Sequence, residues 1–264
     1  MSSTVCVKLQ SAIASRLESM RVIESANINL RPEPAETIIV RPGGYSDLVQ
    51  TVQVHKVAFP TSFLTALGDR FLYELYRGFL RDESSIYLVA EEKGRQRGLV
   101  VGTTEPRSFF KRLLVRRWSS FLCAGFTALL RNPVRVAQRF LFALVYRGET
   151  PPGLDEATLL SSIGVAPAHG GRGFGAVLVE RFCEEAASRG SRSVYLLTDS
   201  GGNDRVNHFY LKCGFALDSR VERQERRIMN RYIRPIATAV AAKSDLDQRG
   251  HSQSLTPVTI KQAE

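Results

Sequence analysis

"VAPAHGGRGFGAVLVERF", residues 165–182, decides how the rest of the chain is read. Four glycines, Arg172 and Phe174 make up positions 170–175, between an apolar stretch and a segment with helical spacing. A helix start offers unpaired backbone N–H groups and about half a unit of positive charge, so it can hold a phosphate without any side chain. Glycines at Gly171, Gly173 and Gly175 let the oxygens approach, and Arg172 adds a charge. The GxxxxGK[ST] loop of nucleoside triphosphatases is absent. The dinucleotide fingerprint GxGxxG/A is matched by Gly171, Gly173 and Ala176, with Asp199 after the following strand. There, however, the turn follows its strand directly, whereas here "APAH" intervenes.

Outward from this turn, "ATLLSSIGV" (157–165) reads as a strand, 174–189 as a helix stopped by Gly190, and "SVYLLT" (193–198) as a second strand. "NDRVNHFYLKCGF" (203–215) reads as a short helix ended by Gly214, and two more strands are expected around "FALDSRV" and "RRIMNRYI". Upstream, "TIIVR" (37–41) is strand-like, and 46–59 has helical spacing with Ser46 or Asp47 as cap. Phe63, Leu67, Phe71, Leu75 and Phe79 recur every four residues and predict one further helix. "SIYLVAEE" (85–92), the turn "KGRQRG" and "LVVGTTE" (99–105) predict a hairpin. The order implies an α/β fold: a mixed central sheet with flanking helices and a helical insertion, strands 157–165 and 193–198 running parallel.

The combination "SIGVAPAHGGRGFGAVLVERF" followed by "NDRVNHFYLKCGF" closely resembles the acyl-CoA-binding core of the GNAT N-acetyltransferase superfamily. That pattern is a strand ending in V-x-P, a (Q/R)xxGxG/A loop opening a helix, a second strand, and a helix carrying N-x-x-A-x-x-x-Y-x-x-x-G-F. The likeness is strong over 157–215 and extends from about 37 to 233. It implies acetyl-CoA as co-substrate, no metal, and acetyl transfer to a primary amine by direct attack. Backbone N–H groups of Gly170, Gly171, Arg172, Gly173, Phe174 and Gly175, with the Arg172 side chain, would hold the pyrophosphate. The strand edge at Ile163 and Val165 would pair with the pantetheine amides, Asn203 would bond the pantetheine arm, and Tyr210 would protonate the departing thiolate. A backbone N–H near Val165 would polarise the thioester carbonyl. The chain departs from the motif at Gly170, where Gln or Arg is usual, and at Val206, where Ala is usual. For the general base Glu156 is the leading candidate, with Ser161, Ser162, Glu105 and His55 behind it.

The chain has 264 residues, 44% of them hydrophobic, enough for one large domain with an insertion. Cys6, Cys123, Cys183 and Cys213 lie far apart, with no CxxC and no histidines at ligand spacing, which argues against a zinc site and a disulfide framework. The first thirty residues carry charges through their apolar positions, unlike a signal peptide, and no uncharged apolar run reaches about 18 residues. A cytoplasmic protein is the expectation.

The formal charge of +10 is concentrated. Between Arg107 and Arg147 there is no acid, while Arg107, Lys111, Arg112, Arg116, Arg117, Arg131, Arg135, Arg139 and Arg147 are all basic. The expected organisation is an extension (1–36), an acyltransferase domain (37–233) interrupted by a basic helical insertion (106–155), and a disordered tail (234–264). The insertion is where an anionic acceptor such as a nucleotide- or lipid-linked amino sugar, an anionic membrane surface or a second copy of the chain would be met; nucleic acid is the less expected partner. Two other classes of function stay open: a CoA sensor without catalysis or a membrane- or nucleic-acid-binding protein acting through the insertion, and an NAD-binding enzyme.

Overall fold

Residues 37–116, 154, 156–222 and 228–237 are described by the structure, a computed structural model. The extension, most of the basic insertion, Cys6, Cys123 and the expected tail beyond residue 237 lie outside the described residues, while the first two residues of that tail, 234 and 235, belong to the last strand of the sheet.

Seven strands form one sheet in the order β1-β2-β3-β4-β5-β7-β6: β1 Ile39–Pro42, β2 Ser85–Glu92, β3 Arg95–Thr103, β4 Ala157–Val165, β5 Ser193–Asp199, β6 Ala216–Glu222 and β7 Ile228–Pro235. All neighbours are antiparallel except β4 and β5. Helices α1 (Leu48–Ala58), α2 (Phe63–Ala66), α3 (Asp69–Arg81) and α4, described from 106 to 116, belong to the first half. Helices α5 (Phe174–Ser188) and α6 (Asp204–Lys212) belong to the second.

Alternation along the strands divides the core into two layers. Tyr87, Val89, Leu99, Val101, Leu159 and Tyr195 pack against Leu48, Val52, Phe71, Tyr76, Phe79 and Phe109 from α1, α3 and α4. Ile86, Leu88, Val100, Leu160, Val194 and Leu196 face Phe174, Leu178, Phe182 and Tyr210 from α5 and α6. Both β4 and β5 are apolar on both faces, as a central parallel pair must be.

Two elements differ from the sequence reading. The predicted helix over 62–82 is broken into α2 and α3 at Gly68, whose φ of 93° ends one helix and starts the next. The hairpin turn is two residues long, because Lys93 (φ 51°) and Gly94 (φ 69°) both take the left-handed region that suits strand twist. Strand β3 therefore begins at Arg95, with Glu92 opposite Arg95.

The sheet also carries a β-bulge beside the future site. Val101 pairs with Ser162 and Gly102 with Leu160, leaving Ser161 as the extra residue of β4. Gly102 is required there, since a Cβ would press into the Leu159 carbonyl and the Phe182 ring. Gly102→Val is expected to cost about 1–3 kcal/mol through overpacking, seen as a lowered thermal midpoint in a melt followed by circular dichroism.

Candidate active site

Strands β4 and β5 pair for three residues and then separate. Ala157, Thr158 and Leu159 lie opposite Ser193, Val194 and Tyr195, and no pairing continues beyond them. On its other side β4 stays paired with β3 through Val165. The Ala166 N–H donates to the Arg97 carbonyl at 2.8 Å, so residue 166 and, by alternation, Gly164 turn their polar backbone groups toward β3. Those of Ile163 and Val165 therefore face the gap, without a strand partner among the described residues. A gap edged by unpaired N–H and C=O groups accepts an extended chain bearing amides. Beneath it, α1 closes the other face, where a Cβ at Gly164 would meet Phe59 and Ala58 at 2.9 and 3.2 Å.

At the mouth of the gap the chain makes a short 3₁₀ turn at Pro167–His169 and enters α5. Gly171 (φ 78°) and Gly173 (φ 91°) are left-handed, and a Cβ on either would meet nothing within 4 Å. The space before them is open. The N–H groups of Gly171, Gly173, Phe174, Gly175 and Ala176 have no backbone acceptor among the described residues. A ring of unpaired donors at a helix start fits a diphosphate. The Phe174 side chain, 1% exposed, turns into the core, so only its backbone belongs to this ring. Gly175 is small for a different reason: a Cβ there would stand 3.1 Å from the Phe209 ring, so the glycine lets α6 pack on α5.

The Arg172 side chain does not extend freely from this turn. It forms a two-pronged ion pair with buried Glu92, Nη2 at 2.5 Å from Oε1 and Nη1 at 3.3 Å from Oε2, and its Nη1 lies 2.9 Å from His169 Nδ1. Its charge is compensated from within the protein. Gly170 has ordinary extended backbone (φ −62°, ψ 143°), and a Cβ there would lie 3.8 Å from Nη2 of Arg205, an exposed residue in the first turn of α6. Neither Glu92 nor Arg205 was recognisable as part of this turn from the sequence, because both arrive from distant segments.

Asn203 caps α6, and its Nδ2 donates to Thr198 Oγ1 at 2.6 Å, which ties the start of α6 to the end of β5 beside the gap. Tyr210, on the buried side of α6, is 6% exposed and packs against Phe209, Phe215 and Tyr232 at centroid distances of 5.2, 5.8 and 6.1 Å. Its hydroxyl has no hydrogen-bond partner among the described residues. Burial raises its pKa well above the ordinary phenol value, so it stays protonated at neutral and mildly alkaline pH.

Glu156 is not brought to the gap. It stands before Ala157, at the end where β4 and β5 are paired, about seven strand residues or roughly 23 Å along β4 from Ile163 at ~3.3 Å per residue. There its exposed carboxylate binds Arg192 Nε at 2.5 Å. Glu156→Gln is expected to leave kcat within about twofold, as for an exposed ion pair; a steady-state assay checks this. The other base candidates are also engaged: His55 is 1% exposed with Nδ1 2.6 Å from Tyr76 Oη. Glu105 accepts from Ser108 and Arg112, which hold its carboxyl below the usual range. Ser161 and Ser162 sit at the bulge inside the gap.

The dinucleotide reading does not fit this architecture. It requires a largely parallel sheet whose strand leads directly into the glycine turn, whereas this sheet has one parallel pair and a 3₁₀ turn in between. Among the described residues no three acidic, cysteine or histidine side chains are grouped to hold a metal, and no helix is long and apolar enough to cross a membrane.

The model of the acetyltransferase (GNAT) family matches residues 49–215. Among curated proteins none matches the chain. Solved structures share the fold at low identity. An acetyltransferase of the GNAT family from Desulfovibrio desulfuricans is 15% identical, with TM-score 0.51 over 76% of this chain and 100% of that one. A spermidine N-acetyltransferase SpeG chimera from Vibrio cholerae and hSSAT is 16% identical, with TM-score 0.50 over 75% and 95%. A further acetyltransferase is 17% identical, with TM-score 0.51 over 75% and 99%.

Proposed function

Because the chain belongs to the acetyltransferase (GNAT) family and is an acyltransferase, we propose that it moves an acetyl group from acetyl-CoA to a primary amine by direct attack. The observation that carries this reading is the parallel pair that parts after Leu159, with unpaired backbone at Ile163 and Val165 leading up to the N–H groups of Gly171 and of residues 173–176. The ring would take the pyrophosphate, and the β4 edge the pantetheine amides. The thioester would then lie deeper than Val165, toward the point where β4 and β5 part, where a backbone N–H of the β4 edge can polarise its carbonyl.

The substrate supplies an acyl carbon activated by sulfur. The amine nitrogen attacks that carbon, the C–S bond breaks, the sulfur takes the Tyr210 proton, and the proton lost by the amine returns through water to the Tyr210 oxygen. The metal-free character of this scheme needs no group beyond those named. Asn203, held by Thr198 through Nδ2, keeps its Oδ1 for the pantetheine arm.

A panel of amines tests this: a polyamine, a peptide with a free N-terminus, and nucleotide-linked amino sugars, each with the full chain and acetyl-CoA. Thiol release matched by acetylation of one amine class is expected. Thiol release without any acetylated amine, or none with chain that binds CoA, would contradict transfer to an amine. The alternatives that act through residues 106–155, including membrane contact and a homodimer, rest on a segment largely outside the described residues. Of its basic side chains, Arg112 is already paired with Asp82 and Glu105.

A further inference from the structure

We propose that Arg205 supplies the side-chain contact to the CoA pyrophosphate that Gly170 lacks. The inference rests on the acyl-CoA reading above and assigns one more residue to that site.

The argument is one of charge and place. The motif position at the head of the loop usually carries Gln or Arg, and here it is glycine. Arg172, the charged residue within the loop, is held by a buried carboxylate, so its positive charge is largely neutralised before any ligand arrives. A diphosphate at the helix start would then meet backbone donors and the helix dipole, but little net positive side-chain charge.

Arg205 enters the vacant direction from α6. Its Nη2 lies 3.8 Å from where a Cβ at 170 would be, so one guanidinium nitrogen stands in van der Waals contact with the point from which a side chain at 170 would start. It is exposed, and it makes no ion pair among the described residues, although Asp204 precedes it. A guanidinium matches phosphate oxygens with two parallel N–H donors. The loss of a side chain from one segment is thus offset by a side chain from another, two helices being brought together by the Phe209 contact on Gly175.

The test is calorimetric titration of CoA and of dephospho-CoA into the full-length chain, Arg205→Ala, and Arg205→Ala with Gly170→Arg. Extended backbone at 170 accepts an arginine, and the adjacent Pro167 carbonyl, 3.2 Å from the new Cβ, has to give only slightly. Arg205→Ala is expected to weaken both ligands about tenfold, the loss of one charge-assisted contact, with an unchanged thermal midpoint because the residue is exposed. Gly170→Arg is expected to restore most of that affinity. Equal affinity in the unmodified chain and Arg205→Ala would overturn this assignment while leaving the acyl-CoA reading intact. Weakening of CoA but not of dephospho-CoA would also overturn it, because the contact would then be to the ribose phosphate. No binding of either ligand by the folded, unmodified chain would overturn both.

Discussion

Gly173→Glu is expected to abolish measurable CoA binding, a loss of at least about 100-fold in affinity. Three effects act in the same direction. Gly173 has φ 91°, which costs a side-chain-bearing residue about 1–2 kcal/mol. The space before it is open, so on the acyl-CoA reading the new side chain would stand where the diphosphate does. Finally, a carboxylate would repel that diphosphate at the helix start, where the field otherwise favours an anion. Gly173→Ala separates these contributions: it keeps the backbone strain with neither the bulk nor the charge. Its affinity is expected to stay within about tenfold of the unmodified chain, with a modest fall in thermal midpoint. Titration calorimetry on both variants checks the pair.

Tyr210→Phe is expected to lower kcat by about 100-fold, the ordinary contribution of a positioned general acid, with KM for acetyl-CoA nearly unchanged. The substitution is conservative for packing. Phe209, Phe215 and Tyr232 surround the ring, and the hydroxyl has no protein partner among the described residues to lose. A stability effect of comparable size is therefore not expected. The pH dependence follows from burial, which disfavours the phenolate and raises the pKa above the ordinary value near 10. The acid form thus persists as pH rises, and Tyr210 should impose no loss of kcat between about pH 7 and 9. A phenylalanine variant with full kcat under saturating substrates would remove the proton-donor role.

The parts of this fold that were legible in the sequence are those governed by neighbours in the chain. Strand β4 was readable from its apolar run, α5 from glycines before it and Gly190 after it, and α6 from its apolar face and Gly214 past its end. The parallel pairing of β4 with β5 followed from the helix between them. The hairpin was readable but not its turn, because Lys93 adopts a left-handed conformation that its residue type does not announce. The break at Gly68 was hidden by an apolar period of four that continues across it.

Pairings between distant segments were out of reach for a different reason. Glu92 and Arg172 are 80 residues apart, and only the closing of β2 against the loop after β4 brings a buried carboxylate to that arginine. Arg205 reaches Gly170 only once α6 has packed on α5. Glu156 illustrates the converse: adjacency to the central strand does not say which end of the gap a residue occupies, and the pairing of Ala157 with Ser193 puts it at the closed end. The bulge at Ser161 depends on the register with β3, which no local pattern records.

The claim that the parted strands β4 and β5 and the turn at 170–175 form an acyl-CoA site is tested most directly by calorimetric titration of acetyl-CoA and, separately, NADH into the unmodified full-length chain. The account predicts one saturable site for acetyl-CoA at micromolar concentration and no heat of binding with NADH. A folded chain that binds NADH, or that gives no heat with acetyl-CoA, would contradict it.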